Sequence, residues 1–286
     1  MKKLLLFSLF ISLAVISFAQ KEPKLLGYCE GGDLTREPYA TWFKPGYDNY
    51  IPTADVVAQL KKAGPEKFTI KIVFGSWCGD SRRELPRMLK VLDAAGFPKQ
   101  NVQLLGVYDS MAVYKQGPNH EEKGLNIYRV PAFIVYQKGK EVGRINEYPI
   151  ESLERDLAKI LNHETYTPNY RGYQQINAWL ANGVLRDPNI NPRGLAQQIR
   201  NDVSRETDLN SCGYVLLMRN DITEAINVFR INVSLYPQSA NCFDSLGEAF
   251  MMAGMKEESK SCYQHVLEID PQHANAKAQL EKLTKN

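Results

Sequence analysis

The apolar positions of this chain follow two regimes. Up to about residue 161, strand-like runs alternate with helical stripes, and beyond it only helical periods occur. Residues 53–63 place Val56, Val57 and Leu60 on one side of a helix that Thr53 can cap and Gly64-Pro65 ends. Residues 68–74 (FTIKIVF) are a β-rich run, followed by a short break and a helix over 81–95 with Leu85, Met88, Leu89 and Leu92 on one side. Residues 102–108 form another apolar run of strand length. A polar connection over 108–129 then leads to two strands, 131–136 and 141–145, around the turn signal Lys138-Gly139-Lys140. A helix over 151–161 closes this half. The alternation predicts an α/β sheet with helices packed on its faces.

Residues 21–50 are rich in Gly, Pro, Tyr and Thr without a clean period, which predicts an irregular arm. Residues 163–206 carry Pro168, Pro188 and Pro192, with helical stretches at 173–180 and 194–203, and read as a helical connector. From Leu209 onward the chain repeats. Gly213 and Gly247, Phe229 and Tyr263, and Pro237 and Pro271 are each separated by 34 residues. That period, with helix–turn–helix patterning, resembles the tetratricopeptide repeat family. The glycines fall at its small packing position and the prolines end each helix pair. Ala225 fits a second small position that Ser259 fills in the next repeat, and Leu209 and Phe243 stand where the family carries an early Trp. The resemblance implies an all-α C-terminal domain over 207–286, closed by a capping helix at 274–283, that recruits a protein partner.

Composition narrows the function classes. The chain has 286 residues, 44% of them hydrophobic and 23% charged, enough apolar material for a core in two modest domains. A net charge of +3 gives no reason to expect nucleic acid as a partner. The first residues change the compartment. Lys2 and Lys3 precede an apolar run over 4–18, and Ser17 and Ala19 are small residues before Gln20, the pattern of a secretory signal peptide over residues 1–19. The mature chain is then secreted across the inner membrane into a periplasmic or extracellular space, and touches a membrane only if the segment stays uncleaved. Five cysteines, Cys29, Cys78, Cys212, Cys242 and Cys262, are too few for a disulfide scaffold. The four histidines make no metal-ligand spacing and no glycine-rich phosphate loop occurs, so neither metal nor cofactor is expected.

The chemistry concentrates in Trp77-Cys78-Gly79-Asp80-Ser81, between a buried-type strand and a helix. A cysteine there faces unpaired backbone N–H groups and the positive end of the helix dipole, which favour the nucleophilic thiolate. Arg82 and Arg83 add to that field and Asp80 opposes it. Strand, Trp-Cys-Gly-X-X and helix together resemble the active-site pattern of the thioredoxin superfamily. Pro86 matches its helix-kinking proline, and Val130-Pro131 its cis-proline loop beside the active site. The resemblance covers residues 53–162. It implies a thioredoxin-like domain in which Cys78 attacks a disulfide-bearing protein or peptide while Val130 and Pro131 hold the substrate backbone. Two departures matter. Ser81 replaces the usual second cysteine and Ile72 a buried acid, so release of the mixed disulfide requires an external thiol. The resulting expectation is an exported monothiol thiol–disulfide oxidoreductase, with a redox-inactive protein-binding scaffold as the alternative. In the first, Cys78 is the reactive thiol. In the second, it is an inert small residue on a redox fold.

Overall fold

The computed structural model describes residues 22–285, so the expected signal segment lies outside the described residues. The N-terminal part contributes β1 (Gly27–Cys29), α1 (Gly31–Leu34) and α2 (Ala40–Asp48). It is followed by α3 (Ala54–Ala63), β2 (Phe68–Phe74), α4 (Gly79–Ala95), β3 (Val102–Gly106), β4 (Ala132–Gln137), β5 (Lys140–Asn146) and α5 (Leu153–Leu161). The strands form one mixed sheet in the order β1-β3-β2-β4-β5, in which only β2 and β3 run parallel. β2 is central. Phe68, Ile70, Ile72 and Phe74 meet the helical side and Val73 the other, which explains its nearly unbroken apolar sequence. The β4–β5 turn forms as its residues demand, with Lys138 and Gly139 both at positive φ.

Three expectations need correction. The segment 20–52 is not an irregular arm within its described part, because β1 adds an antiparallel edge strand to β3 and α2 packs Phe43 into the core. Helices do not cover both sheet faces. Side chains from α2, α3, α4 and α5 cover one face. The other is covered by the 107–130 segment, through Val107, Ile127 and Val130 against Val73, Leu105 and Ile134. Thr53 occupies the N-cap position of α3 without capping it. Its hydroxyl donates to Glu154 Oε1 at 2.9 Å, tying α3 to α5 instead.

The remaining chain is helical: α6 (Gly172–Ala181), α7 (Pro192–Ile199), α8 (Glu206–Met218), α9 (Ile222–Leu235), α10 (Ala240–Met252), α11 (Lys256–Ile269) and α12 (Ala274–Lys285). α8 with α9 and α10 with α11 form successive antiparallel pairs. A Cβ on Gly213 would stand 2.5 Å from the Phe229 ring, and one on Gly247 3.0 Å from Tyr263, so the 34-residue period marks one helix contact made twice. The two halves share a joint of aromatic side chains. Tyr128 of the sheet half is buried among α6 and α8 residues, 4.9 Å edge-to-face from Tyr173, with its hydroxyl donating to Asn177 Oδ1 at 2.8 Å. Tyr170 stacks on Tyr173.

Candidate functional site around Cys78

The helix α4 begins two residues earlier than its apolar stripe suggests, which makes Cys78 its N-cap residue. Backbone bonds set this position. The Cys78 N–H donates to Gly75 C=O at 2.9 Å, and Cys78 C=O accepts the Arg82 N–H at 2.9 Å. Trp77 anchors the loop by donating from Nε1 to Val107 C=O at 2.8 Å. The half-buried Cys78 sulfur thus stands at the N-terminal end of a 17-residue helix, where orphan N–H groups and the helix dipole attract negative charge. Gly79 is exposed and Asp80 half-buried beside it.

Cys78 Sγ lies 3.4 Å from Val130 C=O, to which the thiol donates. The Val130–Pro131 peptide bond is cis. The structure therefore brings together the two sequence motifs, 52 residues apart. Both Val130 and Pro131 are buried, however, and the Pro131 carbonyl already accepts the Glu147 N–H at 2.7 Å. The loop is roofed by the helical half. Arg129 reaches from it to Thr207 C=O at 2.8 Å, and the Ser211 hydroxyl of α8 donates to Tyr128 C=O at 2.6 Å.

Ser81 is fully buried and is not a helix cap. Its Oγ accepts the Gly75 N–H at 3.1 Å and so pins the end of β2 to the first turn of α4. Ile72 is equally buried, paired in register with Leu104 and Phe133. Arg82 and Arg83 do not supply the free positive field expected of them. Arg82 donates to Ser76 C=O at 2.6 Å and forms an ion pair with Glu22. Arg83 pairs with Asp80 at 2.8 Å and with Glu84 at 2.5 Å.

The other cysteines sit in different chemistry. All five are unpaired. Cys29 belongs to β1, opposite Leu104, and packs on the helical face of the sheet, whereas Cys78 packs with the cluster on the other face. Burial, with Asp33 adding to it, pushes the Cys29 thiol up to about 12. Burial likewise pushes Cys212, Cys242 and Cys262 up to about 12.

Sequence reading missed the side chains that surround the cis-proline loop. Glu147, at φ 64°, holds a buried carboxyl above its ordinary range through burial, against the pull of Arg129 at 3.5 Å. Lys115 lies beneath the same loop and donates to Tyr128 C=O at 2.6 Å. Both fall in stretches without periodicity, so no pattern singled them out. Two clefts, of about 500 Å³ beside β5 and about 940 Å³ between α2 and α4, lie away from Cys78.

The fold and site together define a mixed α/β protein with a helical C-terminal half and a half-buried cysteine at the start of α4. No protein-family profile matches this chain, and no curated protein matches it. Among solved structures, a protein of unknown function from Pseudomonas aeruginosa aligns with 43% of this chain and 70% of its own length, at 15% identity and a TM-score of 0.28.

Proposed function

We propose that this chain is an exported, thioredoxin-like thiol–disulfide oxidoreductase that works through Cys78 alone, with tetratricopeptide-like repeats in α8–α11 that recruit a protein partner. The observation that carries the reading is the contact of Cys78 Sγ, at the start of α4, with the carbonyl before a cis-proline. In the proposed reaction the Cys78 thiolate attacks one sulfur of a substrate disulfide. A new S–S bond forms, the old one breaks, and the leaving sulfur departs as thiolate with the electron pair. An external thiolate then attacks the mixed disulfide, forming its own disulfide with the substrate sulfur and returning Cys78 as thiolate. Ser81 has no part in release, since its hydroxyl is occupied by Gly75. A protein or peptide disulfide is the proposed substrate, since Cys78 is only half-buried and lines neither of the two clefts. Export rests on the basic start and apolar run of residues 2–18. Among the described residues no helix is long and apolar enough to cross a membrane.

A second reading has its own support. Val130 and Pro131 are buried, Val130 within the cluster on the sheet face, and the preceding Tyr128 and Arg129 are tied to α8, so an extended substrate cannot lie along this loop without disturbing those contacts. A redox-inactive scaffold that binds proteins through its repeats fits that burial. Alkylation separates the two. Folded mature protein treated with limiting iodoacetamide at neutral pH should gain one label, at Cys78, while Cys78→Ala gains none over the same time. Labelling of the parent no faster than of its denatured thiols would favour the scaffold.

A further inference from the structure

The loop that meets Cys78 is held from beneath by a buried amine. Lys115 takes the left-handed conformation, φ 56°, and is 3% exposed. Its Nζ donates to Tyr128 C=O at 2.6 Å and to the Ser211 hydroxyl of α8 at 3.0 Å, and it stands 4.1 Å from the centroid of the Tyr114 ring. Among the described residues its polar partners are this carbonyl and hydroxyl, and no carboxylate forms an ion pair with it. A buried ammonium held only by a carbonyl, a hydroxyl and a ring is an expensive arrangement, and a negative charge nearby would favour its charged form over the neutral amine.

The charged and titratable groups around Lys115 come from every neighbouring element. Arg129 on the same loop repels its proton, and Glu147 after β5 attracts it. Cys78 at the start of α4 and Cys212 of α8 attract it when ionised. The Tyr114 ring lies against the amine and the Tyr128 phenol turns away to Asn177, and burial raises both phenols above their ordinary range. Burial dominates, followed by Arg129, and together they bring the Lys115 amine down to about 7. Glu147 is already engaged by Arg129. Lys115 and Cys78 hold the same short stretch of backbone, the amine on Tyr128 C=O and the thiol on Val130 C=O two residues on.

We propose that Lys115 is a positioning residue for Cys78, its sequestered ammonium stabilising the negative charge that the Cys78 sulfur carries before attack and recovers on release. The inference rests on the thiol-exchange reading above. Lys115 keeps its proton throughout the exchange and transfers nothing. The sign of the pH effect follows from its titration. The ammonium is present below about 7 and is lost as the pH rises through that value, so Cys78 depends on it most in mildly acidic solution.

The test follows iodoacetamide labelling of Cys78 in the mature chain from pH 6 to pH 9, for the parent and Lys115→Met. The expected result is a roughly tenfold slower rate for Lys115→Met at pH 6, the size of one unit of proton affinity, and near-equal rates at pH 9. Overlapping profiles, or an equal slowing at every pH, would overturn the inference, since a purely structural lysine gives one of these. A parent Cys78 that fails to react sinks the underlying reading instead. Linkage supplies a second measurement that does not depend on Lys115→Met folding. The Lys115 titration, followed by NMR of labelled lysine, should move to lower pH in Cys78→Ser. An unchanged midpoint would overturn the proposal.

Discussion

Gly106→Ala is expected to strip the N-terminal segment from the Cys78 loop. A Cβ on Gly106 would stand 2.1 Å from the Leu25 carbonyl oxygen and 2.8 Å from its carbon, both backbone atoms that cannot rotate away. Residues 22–27 are held here by several bonds that this displacement breaks. The Leu25 N–H donates to Ser76 Oγ, Lys24 pairs with Asp109, Glu22 pairs with Arg82, and Gly27 lies opposite Gly106 in the sheet. Overpacking of this kind costs about 1–3 kcal/mol. Because the damage is local, the population of the detached segment should rise by on the order of tenfold or more. Limited trypsin digestion checks this, with cleavage after Lys24 accelerated by that factor while cleavage in the helical half stays unchanged. Parent-like cleavage at Lys24 would mean that the segment is not held by this contact. Release of Glu22 also frees the charge of Arg82, one helical turn after Cys78, so Cys78 labelling should quicken in the same variant.

Phe229→Ala should produce the largest loss of stability. Phe229 is fully buried, lies against the bare Cα of Gly213, and meets Tyr214 edge-to-face at 5.3 Å. Its ring fills the space left by the missing side chain of Gly213 where α8 and α9 approach. Truncation of a buried phenylalanine costs about 3–5 kcal/mol. Urea denaturation of the helical half should show a midpoint shifted down accordingly, with an unchanged slope. A loss below about 1 kcal/mol would show that the glycine–aromatic contact is not what holds the pair. One of these helices, α8, holds the cis-proline loop through Ser211 and Thr207, so its loosening is felt at the Cys78 site as well.

Much of the sheet was legible because its signals are local. FTIKIVF forms the central strand over the residues its composition marks, and Lys138-Gly139 makes the turn between β4 and β5. The 34-residue spacing of Gly213 and Gly247 was equally readable, since it encodes a contact between adjacent helices. The elements that escaped depend on distant partners. β1 is three residues long and exists because Gly27, Tyr28 and Cys29 find the edge of β3, some eighty residues away. The interior Pro45 hid α2, whose Phe43 is set by the core rather than by helical propensity.

The site divides in the same way. Trp77, Cys78 and Ser81 were identifiable from their place between strand and helix, whereas Val130-Pro131 was singled out only by the resemblance to a family's cis-proline loop. The burial of the loop was not legible, because Val130 packs against sheet residues from distant strands, and Tyr128 and Arg129 are held by α8, far along the chain. The neutralisation of Arg82 by Glu22 spans 60 residues and leaves no trace in local pattern. Lys115 lies in an irregular connection where a lysine reads as solvated, and only the packing of two halves against it makes it buried.

The most direct test of the central claim is mixed-disulfide formation with oxidised glutathione, followed by intact and peptide mass spectrometry of the folded mature protein. The account predicts one glutathione adduct, located on Cys78, absent in Cys78→Ala and removed by added reduced glutathione. A folded parent that takes no adduct, or takes it equally in Cys78→Ala, would contradict the assignment of Cys78 as the reacting thiol.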